Sequence, residues 1–428
     1  MIETIVVTNP KRSKQNGHDG WYPYYAGYSS EFVENILKSS GLNGDKVVLD
    51  PWNGSGTSTT VASKLGFHAL GFDLNPVMSI AAKACFVNKQ DYSSLQPLLT
   101  KIIKSAARRK VSQHSIDPLS EWFRPTSVLC FRAIELSVQD LLVEKSMHGR
   151  FMEVSSIDHF SSIASFFYVA LFRTVNSFLS DFRTSNPTWI SRPAPAQRKA
   201  PALQTIFNRF VSEVSDMIDA VKTDDVIETL MTSSKIDIAT STALPLASGT
   251  VDAIVSSPPY CTRIDYAVAT MPELAVLGYA GDTGFDNLRR KLIGNATVPK
   301  VLPDRNVSWG TTCNQFLDQV YNHESKASKT YYYKNHLQYF DSVYKSINEI
   351  SRVLKKNAIC TLVVQDSHYK NVYNNLPRIF TEMASASDLN LVREEKFPSN
   401  RNMAKRNPDV KQYREHITAT ESVLIFQK

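Results

Sequence analysis

The sequence predicts an α/β fold built on a mostly parallel sheet, and three stretches carry that prediction. Residues 46–50 read as a short strand ending in Asp50, followed by a glycine-bearing loop, a helix over 58–65 closed by Gly66, and a second strand over 68–73. A strand–loop–helix–strand unit of this kind builds parallel sheets. Residues 251–255 are a short apolar run ended by Pro258 and Pro259, which cannot continue a strand ladder. A helical pattern over 331–354, with Leu337, Phe340, Val343, Ile347 and Ile350 on one face, leads into a further apolar strand at 358–364. At 428 residues the chain can hold one large core with insertions.

Bulk properties narrow the functional classes. A formal charge of +7 suits a nucleic-acid partner without requiring one. The cysteines, Cys85, Cys130, Cys261, Cys313 and Cys360, are scattered without C-x-x-C spacing, so neither a metal site nor a disulfide framework is expected. The start of the chain lacks the basic and apolar runs of a signal peptide. The apolar stretch 163–179 is interrupted by Arg173 and Asn176 and reads as a buried helix, not a membrane span. A cytoplasmic location without a membrane partner is the expectation.

In chain order, residues 1–20 form a polar arm. The aromatic run Trp21 to Tyr28 follows, open to two readings: packing, or a wall against a ligand. Ser29 and Ser30 are candidate caps for a helix that buries Phe32, Val33, Ile36 and Leu37. The loop after Asp50, Pro51-Trp52-Asn53-Gly54-Ser55-Gly56-Thr57, is tested against rival motifs. No Lys follows Gly56, which argues against a phosphate-binding P-loop, and Thr59 stands where a dinucleotide motif places its third glycine. What remains is a tight turn in which glycine permits close approach. Asp73, nineteen residues after Gly54 and at the end of the next strand, is placed to accept bonds from a ribose diol. The ligand thus carries a ribose and need not carry a pyrophosphate; S-adenosylmethionine fits. Ser257-Pro258-Pro259-Tyr260 sits at a strand's carboxyl end, the edge where ligands bind in open α/β sheets.

Together these motifs resemble those of the DNA methyltransferases that modify an exocyclic base amine. Asp50-Pro51 before Gly54-Ser55-Gly56-Thr57 is similar to the family's cofactor motif, and Ser257-Pro258-Pro259-Tyr260 to its catalytic motif. Trp21 to Tyr28 is similar to its aromatic segment, with the likeness covering about residues 18–88 and 234–428. The resemblance implies a Rossmann-like class I methyltransferase sheet of seven strands that binds S-adenosylmethionine. The implied cofactor residues are Tyr24, Asp50, Pro51, Gly54, Ser55, Gly56, Thr57, Asp73 and Leu74, and the implied catalytic residues are Ser257, Pro258, Pro259 and Tyr260. In the family, serine in the first catalytic position leans toward cytosine N4 over adenine N6. The implied partner is double-stranded DNA, in a restriction-modification or phage-defence setting with a cognate nuclease or other defence protein. The chain has no Pro-Cys pair, which argues against carbon methylation of cytosine. An RNA amine methyltransferase and a catalytically silent DNA-binding subunit are the alternatives.

The chain is therefore divided into residues 1–90, arm and cofactor-binding half; 91–235, a mainly helical insertion where the resemblance fails; and 236–428, the catalytic half. Within the insertion, residues 182–199 are basic and proline-rich, a composition that suits either a plain solvated connector or phosphate contact, with Arg192, Arg198 and Lys199 the candidates for the latter. Residues 396–414 hold six basic residues against Asp409 alone, making Arg401, Lys405 and Arg406 further candidates. Residues 281–330 read as an irregular loop. A third strand is expected over 236–239, with Thr240 or Ser241 where the family often has an acid near the adenine ring.

Overall fold

The computed structural model describes residues 4–11, 20–22, 27–112, 117–148, 157–184, 186, 188–222, 234–261, 264–298, 301–399 and 419–428. Helix α1 (Ser30–Ser39) is capped by the Ser29 hydroxyl, which accepts from Phe32 N, and it buries the expected Phe32, Val33, Ile36 and Leu37. Strand β1 (Val47–Asp50), helix α2 (Thr57–Lys64), strand β2 (His68–Phe72) and helix α3 (Pro76–Ala84) then follow, with β1 and β2 paired in parallel. The insertion supplies α4 (Tyr92–Arg108), α5 (Pro125–Leu142), α6 (Ser162–Ser177) and α7 (Leu203–Lys222).

The chain returns to the sheet in β3 (Ser234–Asp237) and β4 (Val251–Ser256). Short helices α8 (Tyr266–Ala269), α9 (Met271–Val276) and α10 (Phe285–Lys291) come next, then α11 (Gly310–Asn322) and α12 (Tyr333–Val353). Strand β5 (Leu354–Gln365), the small hairpin β6 (Ser367–Tyr369) and β7 (Val372–Asn374), helix α13 (Leu376–Ser385), and strands β8 (Asn390–Ser399) and β9 (Ala419–Gln427) complete the chain.

The main sheet has seven strands in the order β3-β2-β1-β4-β5-β9-β8, as expected from the resemblance. All neighbours up to β5 are parallel, and β9 is antiparallel to both β5 and β8. The strand order reverses between β1 and β4. The loops that leave those two strands therefore diverge and open a crevice at the carboxyl edge. The Asp50 and Ser257–Tyr260 loops both lie at that edge.

Alternation along the strands covers both sheet faces. Val48, Ala253, Val255, Ile359, Val363 and Val423 pack with α1 and α2. Their neighbours Leu49, Ile254, Cys360, Leu362 and Leu424 pack with α11, α12 and α13. Both faces are thus buried, which is why these strands read as continuous apolar runs. The insertion has its own core, in which α6 is buried almost all round, and that core is continuous with α3 and α9. Arg132 fastens it to the α9 side. Its buried guanidinium donates to Asp117 at 2.8 and 2.9 Å, pairs with Glu135, and caps the carbonyls of Ala275 and Val276.

Five elements depart from expectation. The 281–330 stretch holds α11, whose Cys313, Phe316, Leu317 and Val320 are buried at i, i+3, i+4, i+7 spacing. That pattern is short and surrounded by polar residues, so it reads as irregular in isolation. The third strand begins two residues earlier than expected, because its pairing with β2 starts at Ala69 and Ser234. Hairpin β6–β7 and helix α13 had no sequence assignment, although Asn375 caps α13 and Pro377 opens it. Among the described residues no helix is long and apolar enough to cross a membrane.

Candidate functional site

The site is built on the reversal of strand order. Asp50 ends β1, and its buried carboxylate accepts from Ser256 Oγ of β4 at 2.5 Å, Tyr28 Oη at 3.1 Å and Trp52 N at 3.1 Å. Burial pushes its pKa up, and these bonds oppose the rise. Its acceptor capacity is thus spent on tying β1, β4 and the Tyr28 segment together. Tyr28 also bonds Ser58 and the Val255 carbonyl.

The glycine loop turns at once. Gly56 N donates to Asn53 O at 2.8 Å, and Gly54 and Gly56 have φ of 50° and 88°. A Cβ on Gly56 would lie 2.8 Å from Ala82 Cβ, so the close approach this glycine makes is to α3. Gly71 is needed for a related reason: a Cβ there would lie 2.5 Å from the Asn53 side chain. Pro51, Thr57 and Gly54 are buried within the turn, whereas Trp52, Ser55, Asp73 and Leu74 are half-buried along its rim.

Asp73 stands just beyond β2. Its two oxygens accept one backbone N–H each, from Gly54 at 3.0 Å and Asn75 at 2.8 Å. Each carboxylate oxygen has a further lone pair for a second donor. Burial raises its pKa to about 6, against the lowering by its two amide bonds. A carboxylate at a crevice rim with one acceptor position left on each oxygen fits a vicinal diol.

Across the crevice, the Ser257–Tyr260 turn is held from outside. Ser257 Oγ donates to Val363 O of β5 at 3.1 Å, so its proton is committed and its oxygen is left as an acceptor. The Pro259 carbonyl accepts from Tyr339 Oη of α12 at 3.0 Å. The Tyr260 amide donates to Tyr266 Oη of α8 at 3.1 Å. Gly294, at φ 80°, backs onto the Tyr260 carbonyl, where a Cβ would lie 2.6 Å away. Burial raises the pKa of both phenols, Tyr266 and Tyr339, so both stay protonated at physiological pH. Ser257, Pro259 and Tyr260 are half-buried and Pro258 buried.

The remaining candidates are placed less centrally. Tyr24, Arg401, Lys405 and Arg406 lie outside the described residues. Trp21 and Tyr22 are packing residues: the indole donates to Met217 O at 3.0 Å and the phenol to Glu273 at 2.9 Å. Arg192 pairs with Glu121, Arg198 lies in the field of the same carboxylate, and Lys199 pairs with Asp181 while covering the Phe182 ring. Residues that sequence reasoning did not find are Tyr266, Tyr339, Gly294, Asn75 and Thr270. Tyr339, Gly294, Asn75 and Thr270 act on partners distant in sequence, and the six-residue separation of Tyr260 and Tyr266 forms no recognised motif, so spacing gives no signal, except that Asn75-Pro76 is a legible helix start.

Sheet order, the central reversal and the antiparallel strand near one end define the Rossmann-like fold of methyltransferases. A curated relative is the Type II methyltransferase M.BsoBI of Geobacillus stearothermophilus, 23% identical over 295 residues. The match spans 64% of this chain and 55% of that protein, about half its length. No family model matches the chain. Among solved structures, an S-adenosylmethionine-dependent methyltransferase from Methanosarcina mazei is 7% identical at a TM-score of 0.31, covering 92% of this chain and 96% of that one. The YcgJ protein of Bacillus subtilis is 9% identical at a TM-score of 0.32, with coverage of 92% and 96%. Scores this low bear on neither substrate nor mechanism.

Proposed function

We propose that this chain is an S-adenosylmethionine-dependent DNA methyltransferase that modifies an exocyclic base amine, cytosine N4 ahead of adenine N6. The observation that carries the reading is the Ser257 hydroxyl, held as an acceptor by its bond to Val363 O on a turn at the same carboxyl edge of the sheet as Asp73. The match to a type II methyltransferase supports a DNA substrate, and with it a restriction-modification or defence setting.

Asp73 takes the ribose hydroxyls on its two remaining lone pairs, flanked by Ser55 and Leu74, while Tyr24 completes the methionine side. When bound, S-adenosylmethionine supplies a sulfonium-borne methyl: the amine nitrogen bonds the methyl carbon, the carbon–sulfur bond breaks to a neutral thioether, and the amine sheds one proton to water. An aromatic amine is a poor nucleophile because its lone pair is delocalised into the ring. Ser257 Oγ and the Pro258 carbonyl accept the amine's two N–H bonds and favour a pyramidal nitrogen. Tyr260 stacks on the base once it leaves the duplex. Positioning and electrostatics carry the chemistry, and no covalent nucleophile is used. Asp50 acts indirectly, by fixing the two strand ends, and Pro51, Gly54, Gly56 and Thr57 by shaping the turn. Phosphate contact is proposed for Arg401, Lys405 and Arg406, between the last two strands. Arg192, Arg198 and Lys199 are weaker candidates, since Arg192 and Lys199 must first leave Glu121 and Asp181.

Ser257→Ala tests the reading. Single-turnover methyl transfer should fall about 100-fold, in line with loss of one preorganised polar group, with S-adenosylmethionine affinity by calorimetry unchanged. Wild-type turnover in this variant would reduce the turn to a structural feature.

A further inference from the structure

The proposed reaction requires the amine acceptors and the methyl donor to be in register, and the structure contains a hydrogen-bonded chain that spans the two. Asp73 Oδ1 accepts from Asn75 N at 2.8 Å. The Asn75 side chain, 1% exposed, donates through Nδ2 to Thr270 Oγ1 at 2.9 Å. Thr270, 5% exposed, donates onward to the Tyr266 carbonyl at 3.0 Å. Tyr266 Oη in turn accepts from the Tyr260 amide. The Asn75–Thr270 bond joins residues 195 apart in sequence, at the start of α3 and the α8–α9 junction. Asn75 is fixed a second time as the cap of α3, accepting from Val77 N at 3.1 Å. Asp265 caps α8 and is itself held by Arg289 at 2.7 Å, so the helix that carries Tyr266 is anchored at its start.

We infer that Tyr266, with the Asn75–Thr270 pair behind it, is a positioning residue that couples occupancy of the Asp73 rim to the placement of the Ser257–Tyr260 turn. The inference rests on the methyltransferase reading and extends it. A ligand that engages Asp73 stiffens the Asn75 end of the chain, and the chain passes that restraint to the Tyr260 amide. The Asp73–Asn75 and Tyr266–Tyr260 bonds have backbone amides as donors, whereas the Thr270 and Tyr266 hydroxyls are members that substitution removes with little change of shape. Thr270→Val deletes it while Thr270→Ser keeps it. Tyr266→Phe deletes the other end.

The test follows exchange of the Tyr260 amide by hydrogen–deuterium mass spectrometry on the full chain, with S-adenosylhomocysteine as the non-reacting probe. In wild type the probe should slow that exchange. In Tyr266→Phe the amide should exchange at least about 10-fold faster without ligand, having lost its acceptor, and the probe should no longer slow it. In Thr270→Val the response to the probe should also be lost, and Thr270→Ser should restore it. Probe affinity should stay within about threefold of wild type in all variants, while single-turnover methyl transfer falls roughly 10- to 100-fold in the first two. The double variant should be no slower than the slower single one, because both substitutions cut one chain. Identical Tyr260 exchange and identical response to the probe in wild type and both variants would overturn the coupling alone. A wild-type chain that binds no S-adenosylhomocysteine would overturn the methyltransferase reading and the coupling with it.

Discussion

The glycine loop after β1 and the Ser257–Tyr260 turn after β4 leave adjacent strands at one sheet edge, yet they are held in opposite ways. The first is held largely by its near neighbours in sequence. Gly56 bonds Asn53, Trp52 bonds Asp50, Asn53 accepts from Thr59 at 3.0 Å, and Gly54 reaches Asp73 on the next strand. The second is held chiefly by residues of α8, α12 and β5 and by Gly294, at separations of 6, 80 and 106 residues for Tyr266, Tyr339 and Val363. A locally held loop is a motif; a remotely held one depends on the whole fold. Damage to the glycine loop should therefore appear as lost folding or lost ligand affinity. Damage around the turn should appear in the rate of the chemical step with affinity intact.

The largest effect expected from that contrast is at Gly56. Gly56→Val places a β-branched residue at positive φ against Ala82, which should cost about 3 kcal/mol or more of folding stability by overpacking and backbone strain. Urea denaturation measures it. A variant as stable as wild type that has lost only ligand affinity would return Gly56 to the role of ligand contact and blur the comparison.

Asp73→Ala comes next. It should leave folding largely intact and weaken S-adenosylmethionine binding by about 1.5–3 kcal/mol through loss of a charged acceptor. The pH dependence sharpens this. The Asp73 pKa is raised to about 6, so in the ligand-free protein its contribution to stability is complete below the unfolded aspartate value and is lost as pH rises through 6. Ribose hydroxyls donate to the ionised form, so affinity should run the other way, flat above pH 7 and weaker as pH falls through 6. Calorimetry from pH 5 to 8 should show that slope in wild type and none in Asp73→Asn. A slope that survives in Asp73→Asn would assign it to another group.

The smallest effect is expected in the insertion. Joint replacement of Arg192 and Lys199 by Gln removes cations already paired with Glu121 and Asp181. Duplex affinity should change less than about threefold, because pairs this exposed contribute about 1 kcal/mol or less and the cations are partly neutralised beforehand. Replacement of Arg401, Lys405 and Arg406 should weaken binding to any duplex and flatten its salt dependence. The reverse ranking in a salt titration would make the insertion the DNA-facing element.

The same contrast explains what was legible in the sequence. Spacing alone placed β1, α2, β2 and β4, and the apolar periodicity of α12 was visible because its buried face recurs over six turns. Asp73 was legible from its distance to Gly54. The clamp of Tyr266, Tyr339 and Gly294 was not, since an isolated tyrosine or glycine in a helix or loop carries no sign of a partner 80 residues away. The resemblance implies Asp50 as a cofactor residue; in the structure its carboxylate accepts from Ser256 and Tyr28, and no local pattern encodes the Ser256 bond, which crosses from β1 to β4.

The central claim is that the Ser257–Tyr260 turn accepts hydrogen bonds from the N–H groups of a base amine, and one measurement addresses it most directly. Mixed-sequence duplex DNA is incubated with methyl-labelled S-adenosylmethionine and either wild type or Ser257→Ala, then digested to nucleosides. The account predicts label in N4-methylcytosine for wild type and at least about 100-fold less for the variant at equal cofactor affinity. Label on a ring carbon, or equal label from both proteins, would contradict it.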